Sequence, residues 1–325
     1  MGQTHSSKSA SPPEISVVMS VFNGAAALPL TLDSVLNQTY QNFEVLVVND
    51  GSTDESLEIL RRYERQDHRV RVINQANQGL TRSLNTACRE ARGLYIARQD
   101  VGDVSLPDRF RKQSALLQEA PDVVAVGCGA RRVTVEGEYL GESTRDCSPQ
   151  IITEELVKHG IGLIHPASMI RTKTLRQVGG YREQFRFAQD TDLWLRLVEH
   201  GMLAESPDPL FQLVVETDGI SALQIDRQRK LWEIARECRT ARLQGKSEEA
   251  LLEKAVMISS EQSSILSHSQ QRLQHQRAAY FIGSQLLALR NKRCRRYFSK
   301  SLASPSLAIP SIAKLLQSLV RCPSS

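Results

Sequence analysis

Six aspartates, Asp50, Asp54, Asp100, Asp103, Asp190 and Asp192, stand at or near the ends of apolar runs, where a folded chain can present them to a ligand. Carboxylates so placed suit two kinds of chemistry. They can hold a divalent cation that in turn holds phosphate oxygens. One of them can also take a proton as a general base. Asp100-Val101-Gly102-Asp103 follows one apolar run and precedes Pro107, so one or both acids suit Mg2+ or Mn2+. Asp and Gly also build ordinary turns, and the spacing fits that reading equally. Asp190 opens a helical pattern, which suits an N-cap as well as a base. Asp192 stands four residues before Arg196, the spacing of a helical ion pair. His165, before Pro166, reads as a structural histidine, and Trp194 as a core aromatic.

Absent motifs narrow the chemistry. There is no Gly-x-x-x-x-Gly-Lys-Ser/Thr phosphate loop and no Gly-x-Ser-x-Gly elbow. Gly127-Cys128-Gly129 meets Arg132 where a dinucleotide fingerprint needs a third glycine, which disfavours a nicotinamide oxidoreductase.

The elements that must position these acids follow from patterning. Ile15–Phe22, Phe43–Asn49, Val70–Asn74 and Leu94–Arg98 read as strands, and the stretches between them read as helices. Near-continuous apolar strands alternating with helices mean a mostly parallel sheet covered on both faces. Ligands then bind beyond the carboxyl ends of the strands, where Asn23, Asp50 and Asp100 follow directly. Ser52-Thr53-Asp54-Glu55 has the form of a capping box opening a helix through about Glu64. Pro107–Glu119 reads as a helix, Val123–Cys128 and Pro166–Ile170 as strands, Asp190–His200 as a helix and Leu210–Val215 as a last strand. Residues 137–162 show no clear period. Beyond Leu223 the pattern is helical only, clearest at Gln270–Leu289, Lys292–Leu302 and Ile309–Val320. In the last, Ile309, Ile312, Ala313, Leu316, Leu319 and Val320 share one face. The expected division is a disordered lead over 1–14, an α/β domain over 15–222 and a basic helical region over 223–325.

Composition agrees with an ordered core. The chain has 325 residues, 41% of them apolar and 24% charged. No run is long and apolar enough to predict a transmembrane helix, and the polar start predicts no secretory signal. The six cysteines form no Cys-x-x-Cys pair, so reduced cytosolic thiols are expected. The net charge of +5 conceals an asymmetry: after Glu261 there are ten Lys and Arg and no Asp or Glu. Such a tail suits an anionic surface, membrane headgroups or nucleic acid, or else a solvated helical face.

Several blocks together resemble the family 2 glycosyltransferases. They are Ile15–Asn23, Ser34–Tyr40, Phe43–Asp54, Asn77–Asn85, Ala97–Asp103 with Pro107 and Arg109, His165–Met169, Gly179–Tyr181 and Gln189–Arg196. The blocks occur in order from Ile15 to about Val215. The resemblance implies the GT-A fold, an α/β sandwich, and transfer of one sugar from a nucleoside-diphosphate sugar, with a UDP-sugar favoured. It implies inversion at the anomeric carbon and a glycan or lipid-linked acceptor, as in cell-surface polysaccharide synthesis. By the same resemblance Ser20, Phe22, Asn23 and Asp50 surround the nucleobase, Arg82 serves the base or phosphate, and Asp100 holds ribose and metal. Asp103 is a second metal ligand for Mn2+ or Mg2+, and Asp190 matches the catalytic base. The family's usual Asp-x-Asp-Asp here has Gly102 at the middle carboxylate. The processive Gln-x-x-Arg-Trp motif is absent, which favours single-sugar transfer. The basic tail then suggests peripheral contact with the cytoplasmic membrane face, with no specific nucleic acid partner. The alternative function is an impaired nucleotide- or glycan-binding partner of an active transferase.

Overall fold

The computed structural model describes residues 12–143, 148–215, 224–260 and 268–322. Residues 1–11 of the expected lead lie outside the described residues. The first four major strands are β1 (Ile15–Val21), β2 (Phe43–Asp50), β3 (Val70–Gln75) and β4 (Tyr95–Arg98). They run parallel, with β1 flanked by β2 and β4 and with β3 outside β2. Every residue of β2 and β4 is buried, as expected of parallel strands sheltered on both faces.

Helices α1 (Leu28–Leu36), α2 (Ser56–Gln66) and α3 (Leu80–Glu90) make the crossovers. Short β5 (Val104–Ser105) leads into α4 (Arg109–Glu119), and β6 (Val123–Thr134) pairs with β7 (Tyr139–Ser143). After them come α5 (Pro149–His159), β8 (Met169–Arg171), α6 (Thr172–Gln177), α7 (Gln189–Leu197) and β9 (Met202–Val215). The complete sheet has the order β3-β2-β1-β4-β8-β6-β9-β5, with β7 on β6. Its second half is mixed, because β8 pairs antiparallel with both β4 and β6 whereas β6 and β9 are parallel.

Alternation along the strands sorts the core into two layers. Val17, Met19, Val45 and Val47 face α1, α2 and α4 through Leu32, Leu60 and Phe110. Val18, Leu46 and Val48 face the opposite layer, which includes Leu84 of α3, Leu156 of α5 and Trp194 of α7. Full burial of each such side chain is worth about 1.5–3 kcal/mol. Helices α8 (Ile225–Leu243) and α9 (Glu249–Ser260) add Leu231, Ile234 and Ala255 to this second layer. Helices α10 (His268–Ala288), α11 (Cys294–Ser301) and α12 (Pro305–Arg321) pack elsewhere, with Ile282, Leu286 and Phe298 against Leu140 of β7.

Some local expectations are revised. The capping box does not form: α2 starts at Ser56 and Glu55 makes no side-chain cap. The polar side chains are taken up by the loop after β1 instead. Ser52 Oγ accepts from Asn23 N at 3.0 Å, and Asp54 bridges Ala25 N and Ser56 N, each at 3.0 Å. Residues 137–162, without a legible period, contain β7 and α5, and Ser148 caps the latter by accepting from Ile151 N. The strand expected at Pro166–Ile170 is a 3-10 turn at His165–Ala167 followed by β8. The apolar face of α12 does not pack inward; it is the exposed face.

Candidate active site

The carboxyl ends of β1, β2 and β4 converge where the strand order reverses, because β1 is followed by β2 on one side and β4 lies on the other. Phe22 and Asn23 follow β1. Asn23 adopts φ 53°, a left-handed conformation that asparagine tolerates. Its Oδ1 accepts from Thr53 N at 2.8 Å, so the loop after β1 is fastened to the loop after β2. Phe22 is 54% exposed, which leaves a ring face free to stack on a planar group. Ser20 is half-buried beside it on β1.

Asp50 closes β2 almost fully buried. Oδ1 accepts from Gln78 N at 2.8 Å and Gln75 Nε2 at 2.9 Å, and Oδ2 accepts from Gly79 N at 2.8 Å. Burial pushes the carboxyl up, but these donors outweigh it and hold the group below the usual range. Asp50 therefore carries charge and fixes the turn that starts α3. Next to it, Gly51 has φ +72°, and a Cβ there would stand 2.6 Å from Asn77 N. Only glycine lets the two loops approach so closely. Arg82, in the first turn of α3, is exposed and its Nε donates to Glu183 at 2.7 Å.

Asp100 follows β4 and is the half-buried carboxylate of its loop. It pairs with the guanidinium of Arg98, which is fully buried. Arg98 also donates to the carbonyl of Gln99, and its Nε has no partner among the described residues. Sequence reading assigned Arg98 no role. The signal was available: an arginine ends the otherwise apolar buried run Tyr95-Ile96-Ala97, two residues before an aspartate.

Gly102 has φ +99°, and a Cβ there would meet nothing within 4 Å. Asp103 differs sharply from Asp100. It is buried, and its Oδ1 accepts from Val214 N of β9 at 2.8 Å. Burial, reinforced by the charge of Asp100, pushes its carboxyl up to about 8. Its neutral form is therefore favoured over much of the neutral range. The expected pairing of Asp100 with Asp103 as metal ligands thus meets a geometry in which Asp103 anchors the loop to β9. Among the described residues no group of three or more His, Cys, Asp or Glu is arranged to hold a metal ion.

The shift of Asp103 carries a sign. Between the ordinary aspartate range and about 8 the folded state holds a proton that the unfolded state has released. Stability contributed by this group is present at low pH and is lost as pH rises through about 8. Asp103→Asn keeps an oxygen for Val214 N and has no charge to bury. The variant is expected to unfold at the same temperature as the parent near pH 4 and several degrees higher near pH 9, an effect of about 1–3 kcal/mol. Thermal unfolding across that range measures it, and parallel curves would contradict the assignment.

Beneath this loop Arg109 of α4 is wholly buried. It donates to Arg98 O at 2.7 Å, Ser105 Oγ at 2.8 Å, and Ser168 O, Gln99 Oε1 and Gln113 Oε1 at 3.1 Å. It positions the loop and does not face ligand.

Asp190 enters from α7. It is the second residue of the helix, not its cap, which is Ala188. Its Oδ1 accepts from Thr191 N at 2.8 Å. Burial raises its pKa above the usual range; the Thr191 bonds oppose this, and the charge of Asp100 adds to it. Asp190 and Asp100 therefore sense each other electrostatically. The paired carboxylate is Asp100, whereas among the described residues no salt bridge neutralises Asp190. Asp192 and Arg196 form the expected ion pair at 2.6 Å, and Trp194 is core. His165 Nε2 lies 2.8 Å from Tyr181 Oη, and burial with the nearby Arg98 charge keeps the imidazole neutral.

A Rossmann-like half-sheet extended by a mixed half, with an acid after β4 and Asp190 in the first turn of α7, has the arrangement of the GT-A fold. The family model described as glycosyl transferase family 2 matches residues 16–179. The chain belongs to that family. It is 35% identical over 195 residues to the putative glycosyltransferase EpsE of Bacillus subtilis (strain 168), covering 59% of this chain and 69% of EpsE. Solved structures share the fold. TarS 1-349 of S. aureus in complex with UDP has a TM-score of 0.57 at 15% identity, over 95% of this chain and 89% of that one. The mannosyltransferase PcManGT of Pyrobaculum calidifontis, in complex with GDP-Man and Mn2+, has a TM-score of 0.55 at 17% identity, over 96% and 87%.

Proposed function

We propose that this glycosyltransferase moves a single sugar, with inversion, from a nucleoside-diphosphate sugar to a hydroxyl of a glycan or lipid-linked acceptor, as in cell-surface polysaccharide synthesis. A UDP-sugar is the favoured donor. The observation that carries the reading is the pair of unlike carboxylates: Asp100, bound to the Arg98 guanidinium, and Asp190, with its pKa raised and no salt bridge among the described residues. Unlike environments are how two acids acquire two roles.

Phe22 offers a stacking face to the nucleobase, with Ser20, Asn23 and Asp50 shaping the pocket, and Arg82 stands at its edge. Asp190 accepts the proton of the acceptor hydroxyl. That oxygen forms its bond to the anomeric carbon as the bond from this carbon to the diphosphate oxygen breaks, and both electrons leave with the nucleoside diphosphate. Asp100 would hold a divalent cation of the oxygen-binding kind, Mg2+ or Mn2+. When bound, the ion supplies positive charge opposite the departing diphosphate. Arg98 limits the uncompensated negative charge of Asp100. The basic C-terminal region is read as making peripheral contact with an anionic membrane surface that carries the acceptor.

Thermal unfolding with UDP, GDP and dTDP, each with and without Mn2+, tests the donor reading. UDP is expected to give the largest rise. Gly102→Asp adds a carboxylate where a Cβ meets open space, at the expense of a strained φ of +99°. It is expected to increase the Mn2+-dependent part of the UDP shift by about 1–2 kcal/mol, roughly five- to thirtyfold in affinity. No shift with any nucleotide would leave the nucleotide-sugar reading without support, and an unchanged Mn2+ dependence in Gly102→Asp would remove the cation from this loop.

A further inference from the structure

Helix α12 is built inside out. At 100° per residue Ile309, Ile312, Leu316, Leu319 and Val320 fall within about 120° of one face. All five are exposed, from 50% for Ile312 to 82% for Val320. The inward face is largely polar. Ser311 and Ser318 are fully buried, Ser311 Oγ lies 2.7 Å from Ser301 Oγ of α11, and Arg295 donates to Ser318 Oγ at 3.2 Å. Leu315 is the apolar residue of α12 that joins the local cluster. A helix that hides its serines and shows its isoleucines and leucines is made to cover that face with something else.

The charge of the helical region that carries it narrows the choice. From α10 onward the chain has no acid; Arg293 and Arg296 pair with Glu136 and Glu138 of the β6–β7 hairpin, while Arg290, Lys292, Lys300 and Arg321 are exposed. A two-fold pairing through α12 would bring two such basic regions together. An anionic bilayer surface instead meets both features, with headgroups for the cations and acyl chains for the stripe. The helix has 17 residues and Pro310 inside it, and no helix of the described residues is long and apolar enough to cross a membrane. The geometry therefore fits a helix lying in the interface plane and not a span.

We infer that α12 is a membrane-interface anchor that inserts Ile309, Ile312, Leu316, Leu319 and Val320 among the lipids of an anionic bilayer. This deepens the peripheral contact proposed above by making apolar insertion, not charge alone, its basis.

The test is co-sedimentation of the full chain with phosphatidylglycerol–phosphatidylcholine vesicles and with phosphatidylcholine alone, at low and high salt. The parent is expected to bind the anionic vesicles and to retain part of that binding at high salt. Ile312→Gln/Leu316→Gln changes two exposed positions and is expected to weaken binding by about tenfold or more, with an unchanged unfolding temperature and UDP response. Leu316→Trp is expected to shift its emission to the blue on mixing with vesicles. Binding that survives the double substitution and vanishes in salt would overturn insertion while keeping a charge-only contact. No binding would overturn both. Self-association lost in the double variant, without vesicle binding, would assign the stripe to a second copy and overturn the inference. None of these readouts needs turnover, so each stands apart from the transferase reading.

Discussion

Asp190→Asn is expected to lower kcat by about a hundred- to ten-thousand-fold, the usual worth of a positioned general base. Donor binding and folding are expected to persist. The replacement keeps an oxygen for Thr191 N, which Asp190 Oδ1 holds at 2.8 Å, and removes only the basicity. The raised pKa of Asp190 also fixes the sign of a stability effect. Its charged form is disfavoured in the folded state, so its contribution falls as pH rises through the folded pKa. The amide has no such loss, and the variant should unfold at or slightly above the parent's temperature at neutral pH. In the parent, kcat/KM should fall on the acid side at a pH above an ordinary aspartate's, because burial and then the charge of Asp100 hold the proton on. Loss of activity with an intact UDP-induced shift supports the base assignment. Near-parental kcat would end it, and equal inactivity of parent and variant across donors and acceptors would favour a binding partner without turnover.

The largest expected stability effect lies one layer below. Arg109→Lys is expected to cost roughly 3–5 kcal/mol, because several buried acceptors lose their donors together. Arg109 reaches Gln113 with Nε and uses its two terminal nitrogens for Gln99, Ser105, Arg98 and Ser168. An ammonium has three donors on one atom and cannot span that spread, so the exchange is not conservative. Burial depresses the guanidinium only to about 10, so the group is charged at neutral pH and its hydrogen bonds are the strong kind. Two of its acceptors, Arg98 O and Gln99 Oε1, belong to the segment that sets Asp100. The variant should therefore also weaken the nucleotide-induced stabilisation. Denaturant unfolding measures the cost, and a change below about 1 kcal/mol would show that the network rearranges without loss.

What the sequence determined by itself was the frame of the site. Parallel strands sheltered on both faces read as unbroken apolar runs, so β1, β2 and β4 were visible. The residues that interrupt those runs, Asn23, Asp50 and Asp100, stood out as strand ends. Asp190 was visible as an acid at the head of an amphipathic helix, and the i, i+4 pair of Asp192 and Arg196 needed no tertiary information. Tertiary structure decided what each acid faces. Asp100 and Asp103 are three residues apart and look alike in sequence, yet one, half-buried, meets the buried Arg98 guanidinium and the other is buried against the backbone of β9, more than a hundred residues later. The same holds for Ser52 and Asp54, whose cap chemistry was legible but whose partners turned out to be backbone groups of the loop after β1. Periodicity found the apolar stripe of α12 but not its direction. A stripe records which residues share a side, and only the neighbours, here Ser301 and Arg295 of α11 bound to the serines opposite, decide which side is inside.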